Sequence, residues 1–94
     1  MHRMFREVLA MKFYYVTFRS VTHGQRGEKL LTNEKIRCHL LRTPKWMEVK
    51  GCGYSLRIWT EDINRPVALL RRNHVPMQRV YIQTPDGTLE EMNL

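Results

Sequence analysis

The sequence predicts an α+β fold, with a four-stranded antiparallel sheet carrying two helices on one face. Three observations predict it. Strand-like runs recur at 12–18, 36–42, 54–59 and 79–84, the first rich in aromatic and β-branched residues and the second and third alternating apolar residues on one face. Helical stretches follow the first and third of these runs, which gives the order β-α-β-β-α-β. The chain has 94 residues, enough for one hydrophobic core and one domain. The simplest packing of that order is the ferredoxin-like sandwich.

Each element has its own signal. In the first strand, Tyr14, Val16 and Phe18 share a face. Ser20 then offers a side-chain oxygen as N-cap for a helix running to Asn33. Val21, Gly24, Gly27 or Glu28, and Leu31 fall at helical spacing along it. A glycine inside a helix costs about 1 kcal/mol against alanine, so two of them imply a close approach to the sheet. Ile36, Cys38 and Leu40 line one face of the second strand and His39 the other, and Pro44 ends it. Cys38 therefore reads as a small core residue. Tyr54, Leu56 and Ile58 share a face of the third strand. Pro66 is tolerated only in a helix's first turn, so the second helix is capped by Asp62 or Asn64 and runs to Asn73, with Ile63, Val67, Leu70 and His74 as its stripe. Pro85-Asp86-Gly87 stops the last strand. The expected organisation is an N-terminal extension at 1–10, a domain at 11–87 and a short loose tail at 88–94.

The opposite face of the sheet presents Phe13, Tyr15, Arg37, Leu41, Arg57, Trp59 and Tyr81, with no element assigned to cover it. An apolar and basic surface of this kind marks a partner, a second copy or a ligand. Tyr15, Arg37, Trp59 and Tyr81 are its candidate contact residues. Sixteen Lys and Arg stand against nine Asp and Glu, a net charge of +7. That balance suits an acidic partner or nucleic acid, yet the basic residues are spread along the chain.

No apolar run approaches the roughly 18 residues of a membrane span. Residues 1–10 lack the long apolar region of a signal peptide, so a cytoplasmic protein is expected. Two cysteines, Cys38 and Cys52, form no C-x-x-C pair, and no Cys/His spacing suggests a metal. Reduced thiols and no cofactor are expected.

The one stretch with chemistry of its own is Lys50-Gly51-Cys52-Gly53-Tyr54. Gly51 and Gly53 can take positive φ and leave the sulfur and the nearby amides uncovered. Outward amides form a nest for an anion, and Lys50 and Arg57 add positive potential. Such a setting favours the nucleophilic thiolate of Cys52. The same three residues also read as a plain tight turn entering a strand. His23 could assist the thiol if the loops meet, but a solvated first-turn histidine is the preferred reading.

The order of several motifs resembles a known family. From Met11 to Thr84 the chain resembles the small selenium/sulfur (Se/S) carrier proteins, once filed as a domain of unknown function. The matching features are Phe13-Tyr14-Tyr15-Val16-Thr17-Phe18, the serine-led helix with Glu28-Lys29-Leu30-Leu31, then Leu41-Arg42-Thr43-Pro44, and Cys52-Gly53 followed by Leu56-Arg57. Members often show a serine-rich approach to the cysteine, where this chain has Val49-Lys50-Gly51. The resemblance implies a carrier rather than a turnover enzyme, with Cys52 holding a persulfide or selenide. It also implies a donor such as a cysteine desulfurase, and an acceptor protein.

A second reading is a non-catalytic binding or dimerisation module using the open sheet face, for protein or RNA. RNA-recognition domains share the element order and stack bases on strands one and three. Their third-strand motif fails here where Cys52 and Arg57 replace aromatic positions. Specific RNA binding through that motif is therefore disfavoured. An RNA binder would need Phe13, Tyr15 or Trp59 exposed in a row beside Arg37 and Arg57, and nucleic acid is not an expected partner.

Overall fold

The computed structural model describes residues 11–43 and 53–94. Its elements are β1 (Lys12–Phe18), α1 (Val21–Asn33), β2 (Arg37–Arg42), β3 (Tyr54–Thr60), α2 (Asn64–Arg72), β4 (Val80–Gln83) and β5 (Leu89–Met92). The sheet has five strands in the order β2-β3-β1-β4-β5, and every neighbouring pair is antiparallel. The fifth strand corrects the expectation of four strands and a loose tail. Pro85-Asp86-Gly87 does stop β4, but as the tip of a hairpin. Gly87 takes φ 89°, and Thr84 accepts from the Gly87 amide at 2.9 Å while its own amide donates to the Thr88 carbonyl at 2.8 Å. Asp86 accepts from the Thr84 hydroxyl and from the Thr88 amide, and these bonds lower its carboxyl to about 2.

Both helices lie on one face of the sheet and touch each other. The register explains the core. Tyr14 faces Ile58 across β1 and β3, Val16 faces Leu56, and Cys38 and Leu40 continue these rows on β2. Phe18, Leu31, Leu56, Ile58 and Leu70 are fully buried between sheet and helices. The two glycines of α1 act as the sequence implied. A Cβ on Gly24 would stand 2.7 Å from Leu40 Cδ1, and one on Gly27 would stand 3.1 Å from Leu56 Cδ1 and 3.2 Å from Leu70 Cδ2. The helix sits too near the core for side chains there.

The helix ends hold what the sequence reading missed. Both helices close through a non-glycine residue in the left-handed region, Lys35 at φ 60° and His74 at φ 57°. After α1, Lys35 N–H donates to Thr32 and Ile36 N–H to Leu31. After α2, His74 N–H donates to Arg71 and Val75 N–H to Leu70. This is the Schellman arrangement, sealed in each case by a buried apolar residue just beyond it, Ile36 or Val75. His74 is thus an exposed C-terminal cap and no part of the α2 stripe. At the other end of α2 the N-cap is Ile63, with no side-chain capping bond, rather than Asp62 or Asn64; Asp62 Oδ1 accepts from the Asn64 amide at 3.0 Å, and Pro66 sits in the first turn as expected.

Beta-2 is an edge strand, and one of its outward amides is claimed. Leu40 N–H donates to Glu28 Oε2 of α1 at 2.9 Å. A helix carboxylate on an edge amide blunts the strand against pairing with another chain.

Candidate functional site

The chain leaves β2 at Thr43 and re-enters at Gly53, and the two points are pinned together. Thr43 N–H donates to the Gly53 carbonyl at 3.0 Å. The hydroxyls of Thr43 and Ser55 are 2.7 Å apart and buried. Cys52, Gly51 and Lys50 lie outside the described residues, as do Trp46 and Met47. Gly53 fixes where the backbone carrying Cys52 joins the sheet.

That joint is basic. Tyr54, the first residue of β3, pairs with Phe18 on one side and Arg42 on the other. Arg19 follows Phe18, and its carbonyl oxygen is 4.0 Å from the Cβ position of Gly53. Both arginines are exposed. Ser20 then caps α1, its Oγ accepting from the His23 amide at 3.2 Å, and the first turn of α1 contains no acidic residue. An uncompensated helix N-terminus carries about half a positive charge. Arg19 and Arg42 are functional candidates that sequence reasoning passed over. The signal was there, an arginine ending β2 and another directly after β1, but only the register brings both to Gly53.

Arg57 lies elsewhere. At about 3.3 Å per residue, its Cα is roughly 13 Å along β3 from Gly53. Its guanidinium carbon stands 4.9 Å from the Phe13 ring centroid, a cation–π contact on the open face. Cys38 is half-buried, with Sγ donating to the Glu28 carbonyl at 3.7 Å and lying 3.8 Å from Thr32 Oγ1. Burial pushes its thiol up, the Thr32 bond opposes this, and the Glu28 charge adds to it. As the sequence implied, Cys38 packs against the core. Among the described residues, no three His, Cys, Asp or Glu side chains gather as a metal site.

The open face orders its residues in rows. Arg37, Trp59 and Phe13 stand side by side across β2, β3 and β1. His39, Arg57, Tyr15 and Tyr81 form the next row. Phe13 and Trp59 meet with ring centroids 4.5 Å apart and planes tilted by 43°. Phe13 is 36% exposed, whereas Tyr81 is only 8% exposed and offers little contact surface.

The fold and the joint define a small basic α+β domain whose third strand begins directly after a glycine-flanked cysteine in the sequence. The chain belongs to the family described as "Putative Se/S carrier protein-like", whose model matches residues 13–82. Comparison with curated proteins and with solved structures gave no match. Among the described residues, no helix is long and apolar enough to cross a membrane.

Proposed function

We propose that the protein carries sulfur or selenium on Cys52, between a donor such as a cysteine desulfurase and an acceptor protein. The family match over residues 13–82 carries this reading. In the transfer step, the Cys52 thiolate attacks the outer sulfur of a donor persulfide. A new S–S bond forms at Cys52, the donor's S–S bond breaks, and the donor cysteine leaves as a thiolate. The sulfane sulfur moves with no net oxidation, and one cysteine suffices.

The surroundings of Gly53 support it. Strand pairing brings the backbone of Arg19 and Arg42 beside Gly53, close to the N-terminus of α1, and cationic groups near a cysteine favour a thiolate or an anionic persulfide. Lys50 would add to it from the adjoining stretch. Gly51 and Gly53 would keep the sulfur open to a bulky donor. Arg57 serves the open face rather than the thiol. Cys38, half-buried and with a raised thiol, is no resolving partner. The first four strands read as the ferredoxin-like arrangement, extended by β5. A free thiol of this kind fits a cytoplasmic setting. A second copy of the chain is a further candidate partner.

Mass spectrometry after incubation with a cysteine desulfurase and free cysteine tests the proposal. The expected result is a reductant-sensitive gain of one sulfur in the wild type and in Cys38→Ser, and none in Cys52→Ser. The same gain in Cys52→Ser would overturn it.

A further inference from the structure

We propose that the open face of the sheet binds single-stranded nucleic acid, stacking bases on Phe13 and Trp59 and holding phosphates with Arg37 and Arg57. Two hollows flank the aromatic pair, and both rings wall both hollows. One, of about 640 Å³, is also lined by Lys12, Tyr15, Arg57 and Gln83, with the Glu90 carboxylate at its β5 side. The other, of about 420 Å³, is completed by Arg37, His39 and Arg57. Arg57 already lies over the Phe13 ring at 4.9 Å, so a planar base in either hollow would stack on the outer side of the aromatic pair, with a guanidinium beside it rather than across from it. Stacking of this kind tolerates any sequence, because every base has a π-face.

The charges select this occupant over others. Among the described residues the only ion pair is Arg79–Glu91 at 2.8 Å, on the β5 side of the sheet. Neither Arg37 nor Arg57 is matched to a described carboxylate, so the β2–β3 side of the face is cationic. A second copy of a chain carrying +7 would bring the same arginines against themselves. An acidic peptide would satisfy the arginines but has no use for the paired rings beside them. Duplex nucleic acid keeps its bases stacked and out of reach of the rings. The third-strand motif of RNA-recognition domains is lacking, yet aromatic rings on two central strands, with arginines beside them, are present at Phe13 and Trp59.

The test is fluorescence anisotropy of a short labelled single-stranded RNA of mixed sequence, titrated with full-length protein at several salt concentrations. Binding is expected in the micromolar to hundred-micromolar range typical of non-specific contacts. Phe13→Leu, which keeps bulk but removes the ring, and Trp59→Ala should each weaken it about five- to a hundred-fold. Arg37→Gln should flatten the log–log salt slope by about 0.7, the share of one phosphate on a single strand. Circular dichroism of each variant confirms that it folds. Absence of binding at low salt would overturn the proposal. So would binding indifferent to both ring substitutions, or displaced equally by polyglutamate, which would make the face a site for acidic protein. Preference for the duplex of the same sequence would overturn it as well.

Discussion

Replacing Gly27 with alanine sets two effects of similar size against each other. The alanine gains about 1 kcal/mol of helix propensity. Its Cβ would also stand 3.1 Å from Leu56 and 3.2 Å from Leu70, two side chains with no exposure at all. Neither can swing outward, so the core must shift, and overpacking of this kind costs about 1–3 kcal/mol. The net expectation is a loss of about 1 kcal/mol, or roughly 4–8 °C in Tm for a domain of this size. Gly24 makes the reasoning sharper. Its nearest contact is shorter, 2.7 Å, but the atom is the tip of Leu40, a half-buried side chain on the edge strand. Leu40 can turn away for about 0.5–1.5 kcal/mol, close to the propensity gain. Gly24→Ala should therefore be near neutral and Gly27→Ala destabilising, even though the distances alone rank them the other way. Thermal denaturation followed by circular dichroism decides it. A Gly27→Ala protein more stable than Gly24→Ala would refute the idea that the freedom of the neighbour sets the cost.

Glu28→Ala strips the partner from the Leu40 amide, a charge-assisted bond worth about 1.5–3 kcal/mol. Loss of stability in that range, with faster hydrogen exchange at Leu40, is the expected outcome. Lys35→Gly relieves a left-handed conformation that costs an ordinary residue about 1–2 kcal/mol; chemical denaturation should show a gain of about 1 kcal/mol. The Cys38 thiol, held up by burial, should react with iodoacetamide along a pH profile whose midpoint lies above that of a free thiol. Because its folded pKa is raised, its contribution to stability is complete below the unfolded value and fades as pH climbs through the folded one. Thr32→Val, which removes the bond that opposes the shift, should move that profile further upward.

Much of the fold was legible because local signals agreed with one another. Alternation in β1, β2 and β3 named the inward residues correctly, since one face of each strand is buried and a single-residue slip would expose it. The Ser20 cap and the paired glycines of α1 were readable for the same reason. Beta-5 was not, because Leu89-Glu90-Glu91-Met92 carries two charges and only a weak alternation. It forms by extending a hairpin whose turn looked like a terminus. The helix ends misled in another way: Lys35 and His74 occupy positions where glycine is the usual signal, and only the buried residue that follows each shows why the turn holds. At the site, sequence distance was a poor guide. Extended backbone carries Arg57 away from Gly53 down the sheet, whereas Arg19 and Arg42 reach Gly53 through strand pairing.

The hairpin from Thr84 to Met92 also decides how the protein can be cut. A fragment ending at residue 87, where the turn signals suggest a boundary, would lose the partner of β4 and the contact of Met92 with the core. It would leave Val80, Tyr81 and Ile82 on a bare rim with unpaired amides. Such a rim is adhesive, so the shortened protein should cluster with its own kind, and clumping on the bench would reflect where it was trimmed rather than how the full chain behaves.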